Sequence, residues 1–199
     1  MSLKYSESMT TEADNLSIRF RTVEQSGILL VTRHDRSQDK LEIVLEGGRV
    51  KISIYIGLAE KSFYVGQSLN DDMYHTLIYQ RRAMKISSYV DDDAPVSAEI
   101  IGTESQMGYS EMHVGGIDVG SMVTSNSQGF RGSLQQLSFN GEKLFELANT
   151  GQLAIKHTVS QKIFLNFSLE EKLGSSFGLV LKAENWCELG LGQRQWADF

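Results

Sequence analysis

The chain has 199 residues, of which 41% are apolar, with a formal net charge of -6; this is enough for one ordinary domain with a packed core plus an extension. The acidic balance argues against a bulk polyanion such as nucleic acid as partner and is compatible with a cation site. A single cysteine, Cys187, excludes an intrachain disulfide framework and a Cys-rich zinc site, and no apolar run approaches the ~18 residues that a membrane helix needs.

Met1 to Asp14 is polar and reads as a loose lead-in. Its start lacks the apolar centre of a signal peptide, so a domain working outside cells would here be a fragment of a longer protein or an unusual isoform. Leu16, Ile18 and Phe20 alternate with Ser17, Arg19 and Arg21, the pattern of a half-buried strand. Gly27 to Thr32 is a continuous apolar run, as in a strand covered on both faces, and His34 to Asp39 is charged and turn-like. Leu41, Ile43 and Leu45, then Gly47-Gly48, then Val50, Ile52, Ile54 and Ile56 spell a long-armed hairpin. Phe63 to Val65 is a short strand. Tyr74 to Tyr79 and Lys85 to Val90 form a second hairpin, with Arg81 to Met84 as its turn, and Asp91 to Pro95 ends it. Glu99 to Ile101 is a weak strand, Met112 to Val114 another, and Ser121 to Gln128 a polar loop.

The most informative stretch runs from Gly129 to Gly141. Gly129 and Gly132 bracket Phe130 and Arg131, and Asn140-Gly141 is a turn signal because both residues tolerate positive φ. Leu137 and Phe139 share a face, but Leu134 is out of phase, which requires either cover on both sides or a bulge. Lys143 to Ala148 accommodates one helical turn. Short strands at roughly ten-residue spacing, with no βαβ pattern, predict an all-β chain folded as an antiparallel β-sandwich.

Several ordered stretches resemble the laminin G/LNS domains of neurexins, most closely the fourth LNS repeat of α-neurexins. They are Thr11 to Arg21, Gly27 to Leu30, Gly48 to Ile52, Leu69 to Thr76, Val90-Asp91, Val114 to Gly116 and the Gly129–Gly141 stretch. The resemblance covers roughly residues 5 to 148 and implies a jelly-roll-like, concanavalin-like sandwich, extracellular and used in synaptic adhesion. One departure is Ser133, where many laminin G domains carry a cysteine. On this reading residues 1–149 are the LNS domain and 150–199 a C-terminal extension. Ile163 to Ser168 followed by Gly178 to Leu181 echoes the first strands, so the extension is either the truncated start of a second LNS repeat or extra strands on the first domain. Trp186, Cys187 and Trp196 have no motif around them.

The resemblance also implies a weak Ca²⁺ site. Asp71, in Asn70-Asp71-Asp72-Met73-Tyr74-His75, would supply the side-chain ligand, and backbone carbonyls at Ser88 and at Ser105 to Met107 the rest of the shell. One carboxylate predicts an affinity of roughly 10⁻⁴ to 10⁻³ M; the alternative is that Asn70-Asp71 starts a turn. Three successive carboxylates, Asp91 to Asp93, point to alternate sides of an extended segment and read as a solvated turn. His75 reads as a hydrogen-bonded strand histidine. His34, His113 and His157 lack metal-ligand spacing. Arg81, Arg82 and Lys85 are either a surface for acidic glycans or a solvated hairpin tip. Asn15-Leu16-Ser17 and Asn166-Phe167-Ser168 are N-glycosylation sequons if the chain is secreted.

No nucleophile elbow, phosphate loop or paired-carboxylate strand is present, which predicts a non-enzymatic module. The leading expectation is an extracellular adhesion or receptor module that binds protein partners through a loop rim shaped by Ca²⁺. A lectin-like glycan binder and a structural spacer repeat are the alternatives.

Overall fold

A computed structural model describes residues 1–116, 128–149, 155–156 and 164–165. In chain order the strands are β1 (Ser2–Thr11), β2 (Ala13–Arg21), β3 (Gly27–Arg33), β4 (Lys40–Glu46), β5 (Arg49–Ile56), β6 (Ala59–Val65) and β7 (His75–Arg82). They continue with β8 (Lys85–Val90), β9 (Val96–Glu99), β10 (Met107–Val114), β11 (Ser133–Phe139) and β12 (Glu142–Lys143). A short helix, α1 (Leu144–Asn149), follows, and then two-residue strands β13 (Ile155–Lys156) and β14 (Phe164–Leu165). The first sheet has the order β13-β1-β10-β3-β4-β5-β6, and the second β12-β11-β2-β7-β8-β9 with β14 beside β11. All pairings are antiparallel except β11 with β14. The remainder of the C-terminal extension, with Trp186, Cys187 and Trp196, and most of the Ser121–Gln128 loop lie outside the described residues.

The two faces that alternate in the sequence form one core. Leu16, Ile18 and Phe20 of β2, with Leu77 and Tyr79 of β7, belong to the same buried cluster as Leu41, Ile43 and Leu45 of β4 and Val50, Ile52 and Ile54 of β5. Period-2 patterning is sufficient here, because each strand has one face on the core and one turned away. β3 is covered on both faces: Leu29 and Leu30 join the main core, while Ile28 and Val31 pack with Val44 in a separate cluster. In β11 the register against β2 shifts between Gln135 and Ser138, and Gln136 has φ +54°. That bulge turns both Leu134 and Leu137 inward and accounts for the broken alternation.

Three sequence expectations change. The lead-in is not loose: β1 pairs with β10 from Ser2 opposite His113 to Thr11 opposite Met107. Backbone pairing with a neighbour forms this strand almost without help from apolar alternation. The weak strand lies at Val96–Glu99 rather than Glu99–Ile101; it starts directly after Pro95 on an open edge, where a missing N–H is tolerated. The second hairpin turns at Ala83-Met84, so Arg81 belongs to β7, and its side chain is buried.

Candidate functional site

At the end of the sandwich where β2 finishes and β7 begins, five connections meet. Thr22 Oγ1 donates to the Arg131 carbonyl at 2.6 Å, and the Asp72 N–H donates to the Thr22 carbonyl at 3.1 Å. The Gly48 N–H donates to the Gln25 carbonyl, and the Leu69 N–H to the Gly48 carbonyl. The Asp91 N–H donates to the Thr76 carbonyl at 2.9 Å, and Asp91 Oδ1 accepts the Thr76 N–H at 2.7 Å. Loop groups that would otherwise need water are satisfied by one another, so the rim is preformed.

His75 fastens two of these loops. Its Nε2 lies 3.0 Å from Asp71 Oδ1 and its Nδ1 2.7 Å from Asp91 Oδ2. Carboxylates only accept, so the two contacts together favour the protonated ring, in which both nitrogens donate. Burial pushes the His75 pKa down, but the bonds to Asp91 and Asp71 outweigh it, and the net shift is upward. The Asp71 carboxyl is held low, first by the Met73 backbone N–H at 2.8 Å and then by His75. The raised His75 pKa contributes stability that is complete below the unfolded value of about 6.5 and lost as pH rises through the folded value. The thermal-midpoint difference between wild type and His75→Gln is therefore expected to be larger at about pH 5.5 than at about pH 8.5. A difference that stays constant across that range would show that the ring is not a charged cross-link.

Outside the clamp the rim is basic and aromatic. The guanidinium carbons of Arg19 and Arg21 lie 4.9 and 5.1 Å from the Tyr74 ring centre. Alternation from the buried Ile18 and Phe20 sends both arginines to the outer face of the second sheet. Arg21 Nε is 3.6 Å from Asp72 Oδ1, and Met73 and Val23 are 64% and 65% exposed. Nearby, a cleft of about 250 Å³ is lined by Arg49, Tyr64, Gln67, Tyr89 and Asp93, among others. There the Arg49 guanidinium stacks 5.0 Å from the Tyr64 ring centre.

The four residues named for calcium do not assemble into one site. Asp71 is on this rim. Ser88 is fully buried in β8, opposite Tyr79, with its Oγ donating to the Ile78 carbonyl at 2.7 Å. The Ser105 carbonyl accepts Arg81 Nη1 at 2.8 Å, and Met107 is buried with its Sδ 3.2 Å from the Tyr109 hydroxyl. Arg81 stands near the far end of β7, about 20 Å from His75 at the usual strand rise. Among the described residues, no three His, Cys, Asp or Glu side chains gather as a metal cluster.

The basic group expected at Arg81, Arg82 and Lys85 is split: Arg82 and Lys85 are exposed, and Arg81 is not. The Arg81 side chain is inside, with its Nε 2.6 Å from Asp14 Oδ2. Arg82 donates to the carbonyls of Asp14 and Arg81 and to Asn15 Oδ1. Sequence reasoning missed Asp14 altogether; its phase with the buried Leu16 and Ile18 is the signal that it points inward.

This geometry defines a class: a rigid antiparallel sandwich that presents a laced loop rim. The laminin G domain profile matches residues 20–142, and the chain belongs to that family, as an LNS domain of neurexin type. It is 36% identical over 149 residues to Neurexin 1 of Drosophila melanogaster, covering 70% of this chain and 8% of that protein. To Neurexin-3a of Danio rerio it is 29% identical over 154 residues, covering 73% of this chain and 9% of the relative. The chain thus spans less than a tenth of either relative. Among solved structures, domains LG4-5 of the mouse laminin alpha1 chain superpose with a TM-score of 0.63 at 17% identity, over 71% of this chain and 39% of that one. A pentraxin from Limulus polyphemus gives a TM-score of 0.52 at 9% identity, over 69% and 68%; both likenesses concern the fold. No helix among the described residues is long and apolar enough to cross a membrane.

Proposed function

We propose that this chain is a non-enzymatic, extracellular adhesion or receptor module that binds a protein partner through the rim at Asp71. The observation that carries the reading is the laced rim itself, which turns Arg19, Arg21, Tyr74, Met73 and Val23 outward together. Arg, Tyr and Met are enriched at protein interfaces, and a preformed rim lowers the ordering cost of binding. The non-enzymatic part rests on the laminin G family to which the chain belongs; His75, with each ring nitrogen facing a carboxylate, serves as a cross-link of the rim. Synaptic adhesion ligands, and correspondence to the fourth repeat, are part of this reading through the sequence resemblance.

The test is a panel of cell-surface ectodomains presented multivalently to the full chain. Arg21→Glu or Tyr74→Ala is expected to weaken any ectodomain that wild type binds by about tenfold or more. Lys61→Glu, on the β6 edge, is expected to change nothing. A bound ectodomain indifferent to both rim variants would move the interface elsewhere, and no binding at all would favour a spacer repeat.

Calcium dependence centres on Asp71, the one named side-chain ligand and the one on this rim, and the Ser105 carbonyl already accepts from Arg81. Titration calorimetry is expected to show binding near the weak range of extracellular modules, roughly 10⁻⁴ to 10⁻³ M, that Asp71→Ala abolishes. No heat in millimolar Ca²⁺, with the fold intact, would remove the ion from the reading. A second reading, a lectin-like module, is favoured by the cleft with Tyr64, Tyr89, Arg49, Gln67 and Asp93. Specific sugar binding on a glycan array, lost in Tyr64→Ala, would support it.

A further inference from the structure

The second sheet presents a polar outer face, and near one end of it stands Asn15, the acceptor position of Asn15-Leu16-Ser17. Asn15 and Ser17 flank the buried Leu16, so their side chains share the outer face of β2, and Asn15 is exposed. Asn15 Oδ1 accepts Arg82 Nη2 at 3.1 Å, whereas its Nδ2 has no hydrogen-bond partner. The atom that would carry a sugar is therefore free and turned to solvent. We propose that Asn15 is an N-glycosylation site and that its glycan covers this end of the outer face.

The step is a group transfer from a lipid pyrophosphate-linked oligosaccharide. A bond forms between Asn15 Nδ2 and the anomeric carbon of the first sugar. The carbon–oxygen bond to the pyrophosphate breaks, the lipid pyrophosphate leaves, and the amide nitrogen loses one proton. The timing follows from the pairing. In the folded domain the Asn15 N–H donates to Asn140 Oδ1, its carbonyl accepts the Asn140 N–H, and it stands opposite Gln80 of β7. A strand held on both sides cannot be drawn into an enzyme, so attachment precedes folding. The finished fold then accepts the glycan, because no native hydrogen bond uses Nδ2. Asn15 lies about 20 Å along β2 from Arg21, which leaves the rim open and screens the region around Gln80 and Arg82 from partners. The second sequon, at Asn166, lies outside the described residues.

The inference rests on the extracellular reading, and two arms separate them. In the first, the full chain is sent through the secretory pathway of cultured animal cells behind a heterologous leader. Enzymatic glycan release in heavy-oxygen water, followed by peptide mapping, is expected to mark Asn15 as isotopically labelled aspartate. Asn15→Gln and Ser17→Ala are each expected to abolish the mark while leaving the thermal midpoint of the deglycosylated protein nearly unchanged. Recovery of the Asn15 peptide unmodified from secreted, folded wild type would overturn the proposal. In the second arm, surface labelling of the native protein asks only where it resides. An intracellular protein whose led version is still modified at Asn15 would refute the localisation and uphold the site.

Discussion

Replacing Asp14 with alanine is expected to remove about 3–5 kcal/mol of folding stability, because it leaves a buried guanidinium without its counter-charge. Asp14 and Arg81 are both fully buried, with 2.6 Å between Oδ2 and Nε. All five N–H groups of the guanidinium have an acceptor. Nε bonds Asp14, Nη1 bonds the carbonyls of Ala83 and Ser105, and Nη2 bonds the carbonyl and hydroxyl oxygens of Thr11. Asp14 in turn accepts from Tyr109 at 2.7 Å, Thr11 at 2.6 Å and Asn140 at 3.2 Å. Burial, and then the Asp14 charge, push the Tyr109 phenol well above its ordinary range, so it remains a donor. The network fastens the β1–β2 and β7–β8 turns and the loop before β10. Since a domain's whole stability is typically about 5–15 kcal/mol, the single variant should approach global unfolding. Arg81→Met is expected to cost a similar amount. The double variant Asp14→Leu with Arg81→Met should recover much of the loss, since no charge is then stranded. Urea unfolding with unchanged slope is the measurement. Single variants costing under about 1 kcal/mol, or a double variant costing the sum of both, would show that the pair is not the keystone described.

Gly132→Ala is expected to cost about 3 kcal/mol or more, through backbone overlap rather than lost packing. Gly132 has φ +152°, in a region that side chains avoid, and a Cβ there would fall onto the Arg21 carbonyl oxygen and 2.9 Å from Phe130 Cζ. Neither neighbour can move cheaply: Arg21 is in β2, where it pairs with Ser133, and Phe130 is fully buried against Phe20. The control is Gly141→Ala. Gly141 also has positive φ, +88°, but nothing lies within 4 Å of an added Cβ. Its cost should be only the conformational term, about 1–2 kcal/mol. Equal losses for the two variants would mean that close approach of the chains is not what requires glycine at position 132. The difference also bears on the rim, since Arg131, beside Gly132, supplies the carbonyl that Thr22 caps.

The sequence by itself determined the class of fold and most of its strands. The alternations Leu16–Ile18–Phe20, Leu41–Ile43–Leu45 and Val50–Ile52–Ile54 bury one face each, and a one-residue slip would expose all of it. The misfit of Leu134 left two causes open, cover on both sides or a bulge, and the register shift against β2 decides for the bulge. Asp71 is legible too, as a residue of the rim, and His75 as a hydrogen-bonded strand histidine. Their partners are not. That Asp91 closes on His75 depends on how far β7 and β8 extend before the turn at Ala83, which no local pattern specifies. Arg81 looked like a solvated hairpin cation because its counter-charge, Asp14, is 67 residues away in sequence and neighbours it only through the register of β2 and β7. The Ser105 carbonyl, in the loop before β10, is likewise held by Arg81. Burial follows periodicity, which is local. Electrostatic pairing and loop convergence follow strand register and turn position, and the assembled sandwich alone decides those.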